Sequence, residues 1–164
     1  MARRRKPKQV RRPDVPHADH IARYCNPQRV IRNPVTRAVE GVFPQAFELR
    51  QKLNEQYLST HWMEYFSTDI DAQFQGVVKA LRKKLTVGPN SAIAKLNAGL
   101  VVGAGQTRGH SIRIRDRSSP TDPGYAGIYG TPRDNSDAEL LALLANECCV
   151  RVRGVDQIDA MPIQ

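Results

Sequence analysis

The chain has 164 residues, 40% of them hydrophobic and 25% charged, and a formal net charge of +9. That length supports one domain whose core needs no disulfide or metal staple, and that charge points to an anionic partner. No apolar run approaches the roughly 20 residues of a membrane-spanning helix, and no signal-peptide core follows the N-terminal arginines, so neither a membrane partner nor a secretory leader is expected.

Three cysteines, Cys25, Cys148 and Cys149, make an odd count with two adjacent. This argues against a secreted disulfide framework and for a reducing cytoplasm. Arg3, Arg4, Arg5, Lys6, Lys8, Arg11 and Arg12 carry seven of the positive charges, leaving +2 of the +9 for everything after residue 12. Residues 1–16 are broken by Pro7, Pro13 and Pro16 and hold almost no large apolar side chain. Such a stretch buries too little surface to offset its chain entropy and is expected to be a disordered basic arm that gathers phosphates by counterion release.

Residues 17–25 follow, then the Asn26-Pro27 and Asn33-Pro34 breaks that confine regular structure to short pieces. Ile21, Tyr24 and Cys25 are expected to face the core. His17, His20 and Cys25 match no closed zinc-site spacing, and neither a metal nor any other cofactor is expected. Between Val42 and Phe66 the chain gathers six of its aromatics. Leu58, Trp62 and Phe66 recur at helical spacing, which predicts a helix over 57–66 capped by Ser59 or Thr60. On it His61 and Glu64 would share a face as a base and its orienting carboxylate, or simply as a surface hydrogen bond.

Thr68 can cap a helix over 68–85, in which Ile70, Phe74, Val77, Val78, Leu81 and Leu85 form one apolar stripe. Lys79, Arg82, Lys83 and Lys84 crowd its C-terminal end, where cations suit the helix dipole or extend a phosphate-contacting surface. Residues 92–102 alternate and predict a strand. Residues 103–109 read as a flexible glycine loop, with neither a Walker pattern nor a dinucleotide fingerprint. Residues 118–132 read as an ordered loop pinned by Tyr125, Ile128 and Tyr129, whose tyrosines pack it down or stack on bases. A capping box of Ser136 and Glu139 opens a second helix over 136–148.

Two arginine-bearing segments stand out. In residues 111–117, S-I-R-I-R-D-R, strand alternation puts Arg113, Arg115 and Arg117 on one face; in residues 149–154, C-V-R-V-R-G, it does the same for Arg151 and Arg153. If the two strands share a sheet, five arginines could share a surface, which like-charge repulsion penalises unless an anion answers them.

Residues 57–66, Y-L-S-T-H-W-M-E-Y-F, and 122–130, D-P-G-Y-A-G-I-Y-G, are similar to segments of small uncharacterised bacterial proteins that read L-S-x-x-W-x-E-Y-F and D-P-x-H-A-x-I-x-G. Tyr125 stands where those carry histidine, so a role of that histidine does not carry over. The resemblance implies a prokaryotic or phage origin and no particular activity.

Together these features predict an α+β fold: a small, mainly antiparallel sheet of strands 92–102, 111–117 and 149–154, the first two joined as a hairpin, covered by two or three helices. The expected organisation is an arm over 1–16, one domain over 17–158 and a frayed end over 159–164. The leading expectation is a non-enzymatic nucleic-acid-binding accessory protein, within a larger complex, that holds DNA or RNA phosphates through the arm and the five strand arginines. The alternatives are an interaction subunit docking an acidic protein, and a small hydrolase or nuclease built on His61, Glu64 and His110.

Overall fold

The computed structural model describes residues 13–163. The basic arm, including Arg3, Arg4, Arg5, Lys6, Lys8, Arg11 and Arg12, lies outside the described residues. The fold is α+β. Strands β1 (His20–Cys25), β4 (Leu58–Trp62), β5 (Ala92–Asn97), β6 (Arg113–Asp116), β7 (Tyr125–Tyr129) and β8 (Cys149–Gly154) form one antiparallel sheet in the order β6-β7-β4-β1-β5-β8. A ribbon of β2 (Val30–Arg32) and β3 (Val39–Val42) stands beside it.

Alternation sorts the strand residues between two cores. Ile21, Leu58, Ala94, Leu96, Ile114 and Ile128 face one side, with α2 (Ala98–Thr107), α3 (Ala138–Leu143) and its continuation through a π-type turn, Leu144–Cys148. Ala22 and Ile93 face the other, with Met63 just past the end of β4, against α1 (Ile70–Arg82) and α4 (Val155–Asp159). The stripe read from the sequence is the buried face of α1: Phe74, Val77, Val78 and Leu81 are all buried, each contributing about 1.5–3 kcal/mol of transfer free energy. Its cap is Asp69 rather than Thr68, with the Asp69 carboxylate accepting from the Ala72 N–H at 2.9 Å. Asp137 likewise replaces Ser136 at the start of α3.

Several local readings give way. Residues 58–62 form strand β4, not a helix, because Leu58, Thr60 and Trp62 also alternate with Ser59 and His61, and a short apolar run satisfies both periods. Residues 92–102 divide at Asn97, whose side chain accepts from the Leu100 N–H at 2.9 Å and caps α2; the expected glycine loop is mostly this helix. The loop over 118–132 contains β7. β5 forms no hairpin with β6: it pairs with β1 and β8, while β6 pairs with β7.

The domain also reaches past its expected ends. Val15 is buried and donates its N–H to the Ile114 carbonyl at 2.8 Å, so residues 13–16 belong to the domain. At the other end Met161 packs on the α1 core and the Gln75 amide donates to the Pro162 carbonyl at 2.8 Å, so those residues are docked rather than frayed.

Candidate anion-binding site

The two arginine strands do share the sheet, but β6 and β8 are its opposite edges. The five arginines therefore form no single surface. At the β8 edge Arg151 is exposed, whereas Arg153 is bound to Asp71 (Nη1–Oδ1 2.5 Å) and lies over the Phe74 ring at 4.6 Å. At the β6 edge Arg113 is held by Asp14 at 3.0 Å. Arg115 and Arg117 have no carboxylate partner among the described residues; they lie over tyrosines instead. The Arg115 guanidinium is 5.0 Å from the centre of Tyr129, and Arg117 is 4.9 Å from that of Tyr57 while donating to the Tyr129 hydroxyl at 2.6 Å.

These tyrosines form a continuous layer because β4 and β7 are neighbours. Tyr57 stacks on Tyr129 with centroids 4.8 Å apart and meets Tyr125 edge-on at 6.3 Å. The Tyr125 hydroxyl hydrogen-bonds Ser59 Oγ at 3.0 Å and Tyr57 at 3.2 Å. Lys84, just past the end of α1, stands 4.5 Å above the Tyr125 ring and donates to Asp122. The two segments that carry the sequence resemblance thus meet side by side here, with Tyr125 at the centre.

Beneath this layer is His61. It is only 3% exposed, and its Nε2 lies 3.2 Å from Asp122 Oδ1. Since the carboxylate accepts, this network assigns the hydrogen to Nε2 and leaves Nδ1 as the lone pair. Burial holds the imidazole below its ordinary pKa, opposed by the Asp122 hydrogen bond and charge and reinforced by Lys84. The Asp122 turn is kept tight by Gly124, which has a φ of +71° and leaves room for the Phe66 ring: a Cβ there would lie 2.7 Å from Phe66.

The other sequence candidates are elsewhere. Glu64 accepts from both the backbone N–H and Nδ1 of His20, at 2.8 and 2.7 Å, and is not the partner of His61. A strand sends His61 and Glu64 to different neighbours, where a helix would have aligned them. His110 contacts Asp137 at 2.7 Å beside Arg108, between α2 and α3 on the far side of the sheet. The triad of His61, Glu64 and His110 is therefore not assembled. Cys25 is buried on that far side too, with its thiol pushed up to about 12 by burial, so it does not converge with His20.

Sequence reasoning missed Arg23. β1 and β4 pair only at Ile21 with Trp62 and Ala22 with His61, although β1 stays paired with β5 along its whole length. Past Ala22 the two central strands part, and Arg23 turns into the gap. It donates from Nε to the Ala46 carbonyl and from Nη1 to the Ser59 carbonyl, each at 2.9 Å. The visible signal was a charged residue between Ile21 and Cys25, in an otherwise apolar column. The opening is a cleft of about 480 Å³ whose walls include Tyr24, Arg29, Ser59, His61, Lys84 and Tyr125. On the other side of Lys84 and Tyr125 a shallower concavity of about 700 Å³ reaches Lys83 and Arg117.

Among the described residues no helix is long and apolar enough to cross a membrane. Comparison of the chain with protein-family models, with curated proteins and with solved structures gives no match.

Proposed function

We propose that this protein binds nucleic acid without reacting with it, as an accessory factor, using the Tyr57, Tyr125 and Tyr129 layer and its cations as the contact surface. The observation that carries this reading is the placement of Arg115 and Arg117 over Tyr129 and Tyr57 with no carboxylate among the described residues to neutralise them. A cation kept beside an aromatic ring offers a phosphate contact and a stacking face together, which is how single strands are held with little sequence preference. The seven cationic residues within 1–12 add sequence-independent phosphate affinity.

Affinity for a fluorescent single-stranded oligonucleotide, measured over a salt series, tests the reading. Arg115→Ala/Arg117→Ala should weaken binding and flatten the dependence on salt by about one charge for each residue removed. An unchanged slope would remove this surface as the contact site. A second reading, phosphoester hydrolysis with His61 Nδ1 as base, is favoured by the Asp122 contact alone. It requires His61→Gln to abolish turnover while oligonucleotide binding persists.

A further inference from the structure

The cleft between β1 and β4 is distinct from the open tyrosine layer, and its electrostatics are incomplete. Although part of Arg23 remains accessible, its guanidinium is enclosed by protein, and burial is the main influence lowering its pKa. Two of its N–H groups are satisfied by the Ala46 and Ser59 carbonyls, and no carboxylate pairs with it among the described residues. A guanidinium has five N–H donors, so three are left without an acceptor among the described residues. Beyond those two carbonyls only the charge of Glu55, itself paired with Arg50, acts from a distance to offset the burial, and a bound anion in direct contact would offset it further.

The neighbouring charges sharpen this. Arg50 at the rim is engaged by Glu55 and Lys84 by Asp122, while the cleft wall itself holds a single acidic residue, Glu48, against four cationic ones, Arg23, Arg29, Arg50 and Lys84. Arg29, half-buried in the same wall, makes neither an ion pair nor a side-chain hydrogen bond among the described residues. The cleft therefore presents two guanidinium groups with free donors, flanked by the Ser59 and Tyr125 hydroxyls. Arginine forks match the oxygens of a phosphate or carboxylate, and two of them favour a dianion over the single charge of an internal phosphodiester.

We propose that the Arg23–Arg29 cleft binds a phosphate monoester, either the phosphate of a free nucleotide or the terminal phosphate of a nucleic-acid strand. The shared wall of Lys84 and Tyr125 joins the cleft to the tyrosine layer, so a strand lying on that layer can place its end over Arg23. The assignment does not depend on that layer binding nucleic acid.

Calorimetric titration of the full chain with adenosine 5′-monophosphate, with adenosine, and with one oligonucleotide carrying either a 5′-phosphate or a 5′-hydroxyl tests it. The monophosphate should bind and adenosine should not. Arg29→Ala, which removes no side-chain hydrogen bond or ion pair among the described residues, should weaken the monophosphate about tenfold or more, and Arg115→Ala/Arg117→Ala should leave it unchanged. Arg23→Gln should lose monophosphate binding; because Arg23 also bridges two backbone carbonyls, its folding is checked by thermal unfolding, and Arg29→Ala decides if it is unfolded.

Equal behaviour of nucleotide and nucleoside, or undiminished binding to folded Arg29→Ala, would overturn the assignment. An advantage of the 5′-phosphorylated oligonucleotide over its hydroxyl counterpart identifies a strand end as the source. Binding of the monophosphate with no such advantage identifies a free nucleotide. Monophosphate binding retained when no oligonucleotide binds would defeat the nucleic-acid reading and leave this one standing.

Discussion

His61 and Asp122 illustrate how one contact sets several observable properties. The buried imidazole resists protonation, so an unfolded histidine, titrating near 6.5, takes up a proton that the native one does not. Stability should accordingly be full above about pH 7 and decline as pH falls through that value, and His61→Gln should remove part of the decline in thermal unfolding midpoints. Asp122 supplies both of the upward influences on His61, its hydrogen bond and its charge. Asp122→Asn should therefore lower the His61 pKa further, seen as an acid-shifted titration of its ring protons by NMR. A rise in that variant would mean that the Asp122 charge is not what His61 senses. Arg23 shows the same economy at the opposite strand: one side chain fills the gap where β1 and β4 part and carries charge into it.

At the scale of elements, α1 is held at two points. Its N-terminus rests on Asp69, and Asp69→Ala should cost about 1 kcal/mol in chemical denaturation while Asp69→Asn costs little. Its middle is clamped by Phe66, whose ring occupies the space left by Gly76 of α1 on one side and Gly124 of the Asp122 turn on the other. A Cβ at Gly76 would lie 2.7 Å from that ring. Gly76→Ala should destabilise by about 1–3 kcal/mol, and less in a Phe66→Leu background, a coupling that a double-mutant cycle reads directly. Through Phe66 the helix that leads into Lys83 and Lys84 and the turn that bears Asp122 keep a fixed relation. The site thus rests on a packed ring, not on the polar contacts alone.

For the whole molecule, the edge positions of β6 and β8 separate the strand arginines into a β6 group beside the tyrosines and a β8 group beside α1. Removing residues 1–12 takes away seven cationic residues and should weaken oligonucleotide binding and flatten its salt dependence more than Arg151→Ala does. Arg151 stands at the edge remote from Tyr57 and Tyr129, so its loss should leave the affinity nearly unchanged. Comparable losses from Arg151→Ala and Arg115→Ala would place the nucleic acid across both edges instead.

The local signals that were legible share one physical basis. The apolar stripe of α1, the alternation of β8 and the arginine-bearing β6 are patterns within a few turns or residues, and burial of one face suffices to produce them. The balance of strands and helices followed from those patterns. Residues 57–66 and 92–102 were misread because a short apolar run fits periods of both 2 and 3.6, and only the partners available on each side decide between them. The site lay beyond reach for a related reason. His61 meets Asp122 across 61 positions of chain, and Arg23 reaches Ser59 across 36. Composition determined that the protein is basic and rich in arginine; which arginines keep their charge available was decided by the tertiary structure, because that depends on where Asp14, Glu55 and Asp71 come to rest.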